Sequence, residues 1–175
     1  MRINLFGGPG AGKSTTAAWV FSELKRRHIS VEHVNEYVKG WAYMNRKINK
    51  YDQLYLFGKQ HQMEYKFLVN GVSHIITDSP CLLSAVYADI NGSKELSEHL
   101  GEICKIYEAD YPSLNIYLDR GNKPYDPNGR WQTEDQARDL DIKIREYVVR
   151  FTEGKLVSLP FYDERAILDY ILKSI

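Results

Sequence analysis

Nine residues near the amino end constrain this chain more than any other stretch: Gly7-Gly8-Pro9-Gly10-Ala11-Gly12-Lys13-Ser14-Thr15. They satisfy the spacing G-x-x-x-x-G-K-[ST]. An apolar strand pattern, Ile3–Phe6, precedes them, and apolar Ala17, Val20, Phe21 and Leu24 follow at the spacing of one helix face. Strand, glycine-rich turn and helix in that order place backbone N–H groups around a concave spot. Glycine leaves no Cβ in the way of an approaching anion. The helix adds its unpaired first amides and the positive end of its dipole. Gly8, Gly10, Ala11 and Gly12 are the expected cradle for phosphates. Lys13 is expected to reach the terminal phosphates and the Ser14 hydroxyl to take a position on a magnesium ion, with Thr15 a helix residue beside them.

Four more short apolar runs read as strands: Val31–Val34, His74–Thr77, Leu114–Leu118 and Leu156–Leu159. Runs of this kind fit strands covered on both faces. Helical stripes lie between and after them: Leu54, Phe57, His61, Tyr65 and Leu68; Ala137, Leu140, Ile144, Tyr147, Val148 and Phe151; Ala166, Ile167, Tyr170 and Ile171. Strands that alternate with helices of this length imply a parallel sheet, because parallel neighbours need crossovers. The expected class is α/β, one domain over residues 1–175, with binding at the carboxyl ends of the strands. Residues 119–132 follow neither period and carry two glycines and two prolines. A loop of that length suits a lid.

Charge narrows the choice of partners. Lys and Arg number 23 and Asp and Glu number 23, so the chain is neutral. That argues against gripping nucleic acid through a basic face, although a local basic cleft remains compatible. No run approaches the ~18 apolar residues of a membrane span. Cys81 and Cys104 show no metal-type spacing, and no signal peptide is legible, so a cytoplasmic setting is expected.

Two carboxylates follow strands on the binding edge. Asp78 ends His74-Ile75-Ile76-Thr77 and is expected to organise magnesium; the alternative is a cap on the helix that begins after Pro80. Glu36 follows Val31–Val34 and is placed to accept the proton of a substrate hydroxyl. Lys25-Arg26-Arg27-His28 closes the first helix, where cations complement the dipole.

In its glycine-rich loop, in Glu36-Tyr37-Val38-Lys39-Gly40-Trp41 and in Thr77-Asp78-Ser79-Pro80, the chain resembles the nucleoside and nucleotide kinase branch of the P-loop proteins. It is most similar to deoxynucleoside-kinase-like and nicotinamide-riboside-kinase-like AAA domains of phage or bacterial type. The resemblance implies a P-loop NTPase three-layer sandwich, a five-stranded parallel sheet of order 2-3-1-4-5 with helices on both faces. It also implies ATP with Mg²⁺ as donor and Glu36 as base. Deoxynucleoside kinases carry Glu-Pro-Val-x-x-Trp where this chain has Tyr37 for the proline, and Arg-Ser after the acidic residue where it has Ser79-Pro80. The resemblance makes 119–132 the lid, with Arg120 and Arg130 as candidates to fold over the ATP phosphates. It also borders the acceptor pocket with the helix from Asp52 to Asn70, where Trp41 and Phe57 are candidates to stack on a base and Gln60 to pair with its edge. Lys39, Arg46 and Lys59 are candidate charges for an acceptor phosphate. The implied activity is transfer of the γ-phosphoryl of ATP to a hydroxyl (or phosphate) of a nucleoside, nucleotide or related small molecule. Two alternatives stand beside it: a kinase acting on hydroxymethyl-pyrimidine in phage DNA, and a regulatory ATPase or switch. Oligomeric state stays open, a homodimer included.

Overall fold

The computed structural model describes residues 1–122, 125–126 and 131–175. Its elements run β1 (Arg2–Phe6), α1 (Lys13–Arg26), β2 (Val31–Val34), α2 (Lys39–Tyr43), α3 (Asp52–Val69) and β3 (His74–Thr77). They continue with α4 (Leu82–Ile90), α5 (Lys94–Asp110), β4 (Ser113–Asp119), α6 (Glu134–Phe151), β5 (Val157–Pro160) and α7 (Glu164–Ser174). The five strands form one parallel sheet of order β2-β3-β1-β4-β5. All five expected strands are present, and β2 and β3 have the expected bounds.

Every residue of β1 is buried, and its side chains alternate between two cores, as the pleat requires. Ile3 and Leu5 join Ile116, Leu118 and Ile76 under α1 and α7, with Val20, Leu24, Ile167 and Ile171 closing that layer. Phe6 and Tyr117 face the opposite layer, where α3, α4, α5 and α6 supply Phe57, Val86, Leu100 and Ile144. A sheet covered on both faces leaves only its strand ends for chemistry.

Two helices had no counterpart in the sequence reading. α2 is a single short helix, and α5 mixes small residues into its buried face: Ser97 and Gly101 point inward with Leu100 and Tyr107, while Ile103 and Ile106 are exposed. Gly101 is required there. A Cβ would stand 2.3 Å from the Phe151 ring of α6.

The amino end of the sheet holds a polar cluster instead of apolar packing. Arg2 donates to the Tyr111 carbonyl at 2.8 Å and pairs with Glu108 at 2.5 Å. It also lies 3.7 Å from Glu64 of α3, which has no solvent exposure and accepts the Cys81 thiol at 3.3 Å. That link ties α3 to the start of α4. Burial pushes the Glu64 pKa above its ordinary 4.5, with the Arg2 guanidinium opposing. A carboxyl whose pKa rises on folding stabilises the fold below its unfolded pKa, and that stability fades as pH rises. Glu64→Gln removes the dependence. Melting temperatures followed from pH 4 upward are expected to fall for the native protein relative to the variant, which thermal denaturation by circular dichroism measures.

Candidate active site

β1 leaves the sheet at Gly7, and Gly7, Gly10 and Gly12 take φ of 143°, 81° and 87°, conformations that residues with a Cβ avoid. Gly12 is the N-cap of α1, and no side chain caps that helix. The first bond of the helix runs from the Thr16 amide to the Gly12 carbonyl at 2.9 Å. The Lys13, Ser14 and Thr15 amides therefore have no acceptor within the helix and carry its positive dipole end. The Lys13 ammonium arches back over the loop and donates to the Gly7 and Gly8 carbonyls at 2.6 and 3.0 Å.

This loop forms one wall of a cavity of about 620 Å³, lined by Gly10, Ala11, Gly12, Lys13, Ser14 and Thr15. Glu36, Lys39 and Lys47 line it from the segment after β2, Gln53 and Gln60 from α3, Ser84 and Tyr87 from α4, and Asp126, Trp131 and Gln132 from the 119–132 loop. Residues far apart in sequence thus converge at the carboxyl edge of the sheet.

Asp78 sits at the end of β3, 3% exposed, and its Oδ1 has no hydrogen-bond partner. It is not a helix cap, because α4 starts from Cys81 with no side-chain cap. His33 on the neighbouring β2 feels the Asp78 charge, which raises its pKa, but burial outweighs it and the net shift is downward. A buried carboxylate oxygen without a partner, at the end of the strand that pairs with β1, suits a hard cation or its bound water. Ser14 and Asp78 fit magnesium on those grounds.

The loop is braced from behind. The Gly8 amide donates to Asp141 Oδ1 of α6 at 2.6 Å, and Arg120 donates through Nε to Asp141 Oδ2 at 2.5 Å. Arg120 also reaches the Ala137 carbonyl at 3.4 Å. Gly8 must lack a side chain here, since a Cβ would stand 2.6 Å from the Asp141 carboxylate. Tyr125 rests its ring on Gly10, within 3.1 Å of a Cβ built there, and donates its hydroxyl to the Gln132 carbonyl at 2.6 Å. Phe161, after β5, packs its ring against Gly12 in the same way, at 2.5 Å.

The AAA domain family matches residues 2–160. The chain belongs to this family. Solved structures share its fold. Deoxyadenosine kinase from M. mycoides, with products dCMP and a flexible dCDP bound, superposes with a TM-score of 0.63 at 18% identity, over 99% of this chain and 98% of that one. NadR in complex with NAD and AMP-PNP superposes at 0.70 and 15% identity, and NadR in complex with NR at 0.73 and 14%. Both matches cover 99% of this chain but only 49% and 52% of NadR, so this chain spans about half of that protein. No curated protein matches it by sequence.

Within this AAA domain, several expected residues land elsewhere. Gly8 faces α6 rather than the cavity, its amide taken by Asp141. Arg120 is 5% exposed and paired with Asp141, so in this structure it braces the loop through that carboxylate. Arg130 lies outside the described residues. Phe57 is buried in the core beneath α4 and stacks on His61. Trp41, 5% exposed, is clamped between the Tyr55 ring and the Arg46 guanidinium, 3.4 Å from its ring centre. Neither aromatic lines the cavity. Gln60 does line it, but its carbonyl accepts the Tyr37 amide at 3.2 Å and its nitrogen donates to Thr77 Oγ1 at 3.3 Å. It staples α3 to the Glu36 segment and to β3.

The sequence reading missed Gln53 and Asp141. Gln53 is one face-turn pair before Gln60, 3% exposed, on the cavity wall, and its side chain has no hydrogen-bond partner among the described residues. Asp141 stands on the same face of α6 as Ala137, Ile144 and Val148, an acidic residue within an apolar stripe, with nothing in the sequence to say that a loop 133 residues earlier meets it. Asp141→Ala leaves Arg120 buried without its counter-charge. The expected loss is about 3–5 kcal/mol of stability, the scale for breaking one side of a buried pair. Chemical denaturation measures it, and Asp141→Asn is expected to lose less because its amide oxygen still accepts from Gly8.

Proposed function

We propose that this protein is a kinase that moves the γ-phosphoryl group of ATP to a hydroxyl of a nucleoside, a nucleotide or a related small molecule. One observation carries the reading. A single cavity joins the uncapped amides of α1 and Lys13 to the Glu36 carboxylate and the Gln53 amide on other walls. A hydrolase that merely switches state needs the first wall; an acceptor site needs the others as well.

The amides of Lys13, Ser14 and Thr15 and the Lys13 ammonium hold the triphosphate and stabilise the charge that spreads over its oxygens. Ser14 and Asp78 would hold magnesium, which when bound screens the phosphate charge. Glu36 accepts the proton of the acceptor hydroxyl as its oxygen bonds to the γ-phosphorus. The bond from that phosphorus to the β,γ-bridging oxygen breaks, and its electron pair leaves with ADP. Gln53 replaces Gln60 as the amide available to a base edge. Its side chain lines the cavity with no protein partner among the described residues, so a base edge can pair with both its donor and its acceptor. Asp126, Trp131 and Gln132 cover the cavity from the lid side and exclude water from the transfer.

The test is ATP turnover with and without a panel of nucleosides, nucleotides and hydroxymethyl-pyrimidine DNA. Turnover is expected to depend on an acceptor. Glu36→Gln is expected to lower kcat by roughly 10²–10⁴ with little change in ATP affinity, and Lys13→Ala by roughly 10²–10³. Hydrolysis that ignores every acceptor overturns the kinase reading in favour of the switch. A separate expectation concerns the base: Gln53→Leu raises KM for the acceptor by about tenfold or more, the cost of an unmatched polar edge, and leaves KM for ATP in place.

A further inference from the structure

The cavity carries cations on the wall facing the phosphate loop as well as on the loop itself. Beyond Lys13, two cations line it, Lys39 at the start of α2 and Lys47 in the turn before α3. Neither forms an ion pair within the described residues, although the chain has as many acidic as basic groups overall. The other cations nearby are engaged elsewhere. Arg46 lies over Trp41 and 3.8 Å from Asp52, and Lys59 and Lys50 lie over the rings of Tyr55 and Tyr51 at 5.9 and 5.5 Å. None of these three lines the cavity. The segment 39–53 therefore turns two lysines toward the ligand space and folds the rest against aromatic faces.

Two carboxylates also line that space. Glu36 ends the segment after β2, where the reacting hydroxyl is placed, and Asp126 belongs to the lid side with Trp131 and Gln132. On the acceptor wall, two cations stand against one carboxylate already assigned to the proton. The Gln53 amide lies on the same wall, with no protein partner among the described residues, and can pair with a polar planar group there. A neutral nucleoside satisfies Gln53 and Glu36 and leaves both lysines without counter-charge. A cationic acceptor is repelled by them.

We propose that the acceptor brings a phosphate of its own, held by Lys39 and Lys47 while Gln53 reads its base: the substrate is a nucleotide, either free or as one residue of a single strand. This deepens the kinase reading and rests on it for the chemistry, but the recognition is testable by binding alone. Tyr43, which lines the same cavity and is 67% exposed, offers stacking surface to a strand longer than one nucleotide.

The experiment measures binding of three probes that share a base: a deoxynucleoside, its 5′-monophosphate and a short single-stranded oligodeoxynucleotide. Calorimetry at low and high salt is run on the native protein, on Lys39→Ala, on Lys47→Ala and on the double variant, with melting temperatures as the folding control. The phosphate-bearing probes are expected to bind at least about tenfold more tightly than the nucleoside, the scale of one hydrogen bond to a charged group. That advantage is expected to shrink with salt and to vanish in the double variant, with the loss confined to probes that carry phosphate. Tightest binding by the oligonucleotide identifies a polymer source, and equal or better binding by the monophosphate identifies a free nucleotide. Equal affinity for nucleoside and nucleotide overturns the proposal, as does a nucleotide preference that survives the double variant. Phosphate-dependent binding with no phosphorylated product under ATP sinks the kinase reading and leaves this one standing. Phosphorylated nucleoside without nucleotide preference does the reverse.

Discussion

A helix that begins without a side-chain cap at the edge of a buried sheet is the constraint from which the rest of this structure follows. Three first-turn amides of α1 face a cavity with no acceptor inside the helix, and unpaired amides in a partly enclosed place favour whatever anion can reach them. Their position is set from both sides. β1 is buried along its whole length between two layers, and α1 packs Ala17, Val20 and Leu24 into one of those layers. The loop between them has little freedom to relax, so its amides are oriented before any ligand arrives. Pre-orientation is what makes such donors effective against charge that develops during a reaction.

The brace behind the loop serves the same end. Asp141 takes one loop amide, and Arg120 neutralises Asp141. A carboxylate so close to a phosphate site would repel an anion if it were unpaired. Paired with a buried guanidinium, it fixes Gly8 while adding little net charge. Arg120 thus contributes through position, from the base of the loop that the sequence marks as a lid. An arginine read from sequence as a finger is here part of the frame, because a guanidinium that close to a carboxylate of α6 gains more from that pair than from solvent.

Much of this was legible in the chain itself. The five strands stand where short β-branched runs stood, and the sheet order is the one that the glycine-rich loop and its echoes implied. Asp78 and Glu36 lie at strand ends, as spacing suggested. What failed to read out was the direction of side chains on helices. Gln53 and Gln60 are seven residues apart and so share a face of α3; no period distinguishes the one whose amide is consumed by Tyr37 and Thr77 from the one left to the cavity. Phe57 and Trp41 looked like stacking platforms because aromatic rings beside a site do. Tertiary packing took Phe57 into the core and closed Trp41 between Tyr55 and Arg46. α5 was invisible for a related reason: its buried positions include Ser97 and Gly101 while Ile106 faces water. Hydrophobic periodicity marks a helix only when large side chains are the ones that pack.

The clamp on Trp41 also gives shape to the segment that brings Lys39 and Lys47 to the cavity. Segment 35–53 is short of regular structure, with α2 contributing only Lys39–Tyr43, and a loop of that kind needs an anchor to hold a shape. Trp41 provides it by burial, and Arg46 covers the outer face of the ring while leaning toward Asp52. Lys47, its neighbour in sequence, lines the cavity while the guanidinium does not. The anchor and the recognition group thus come from adjacent residues, so a change at Arg46 alters ligand space without touching the phosphate loop. Proteins that share this fold at 14–18% identity keep the scaffold, in which β1 and α1 are fixed by two cores. The wall built by the segment after β2 is held instead by side chains, the Trp41 ring, the Gln60 staple, the Tyr37–Tyr55 hydroxyl contact and the Arg46–Asp52 pair, and segments held in that way diverge more readily than a buried sheet does.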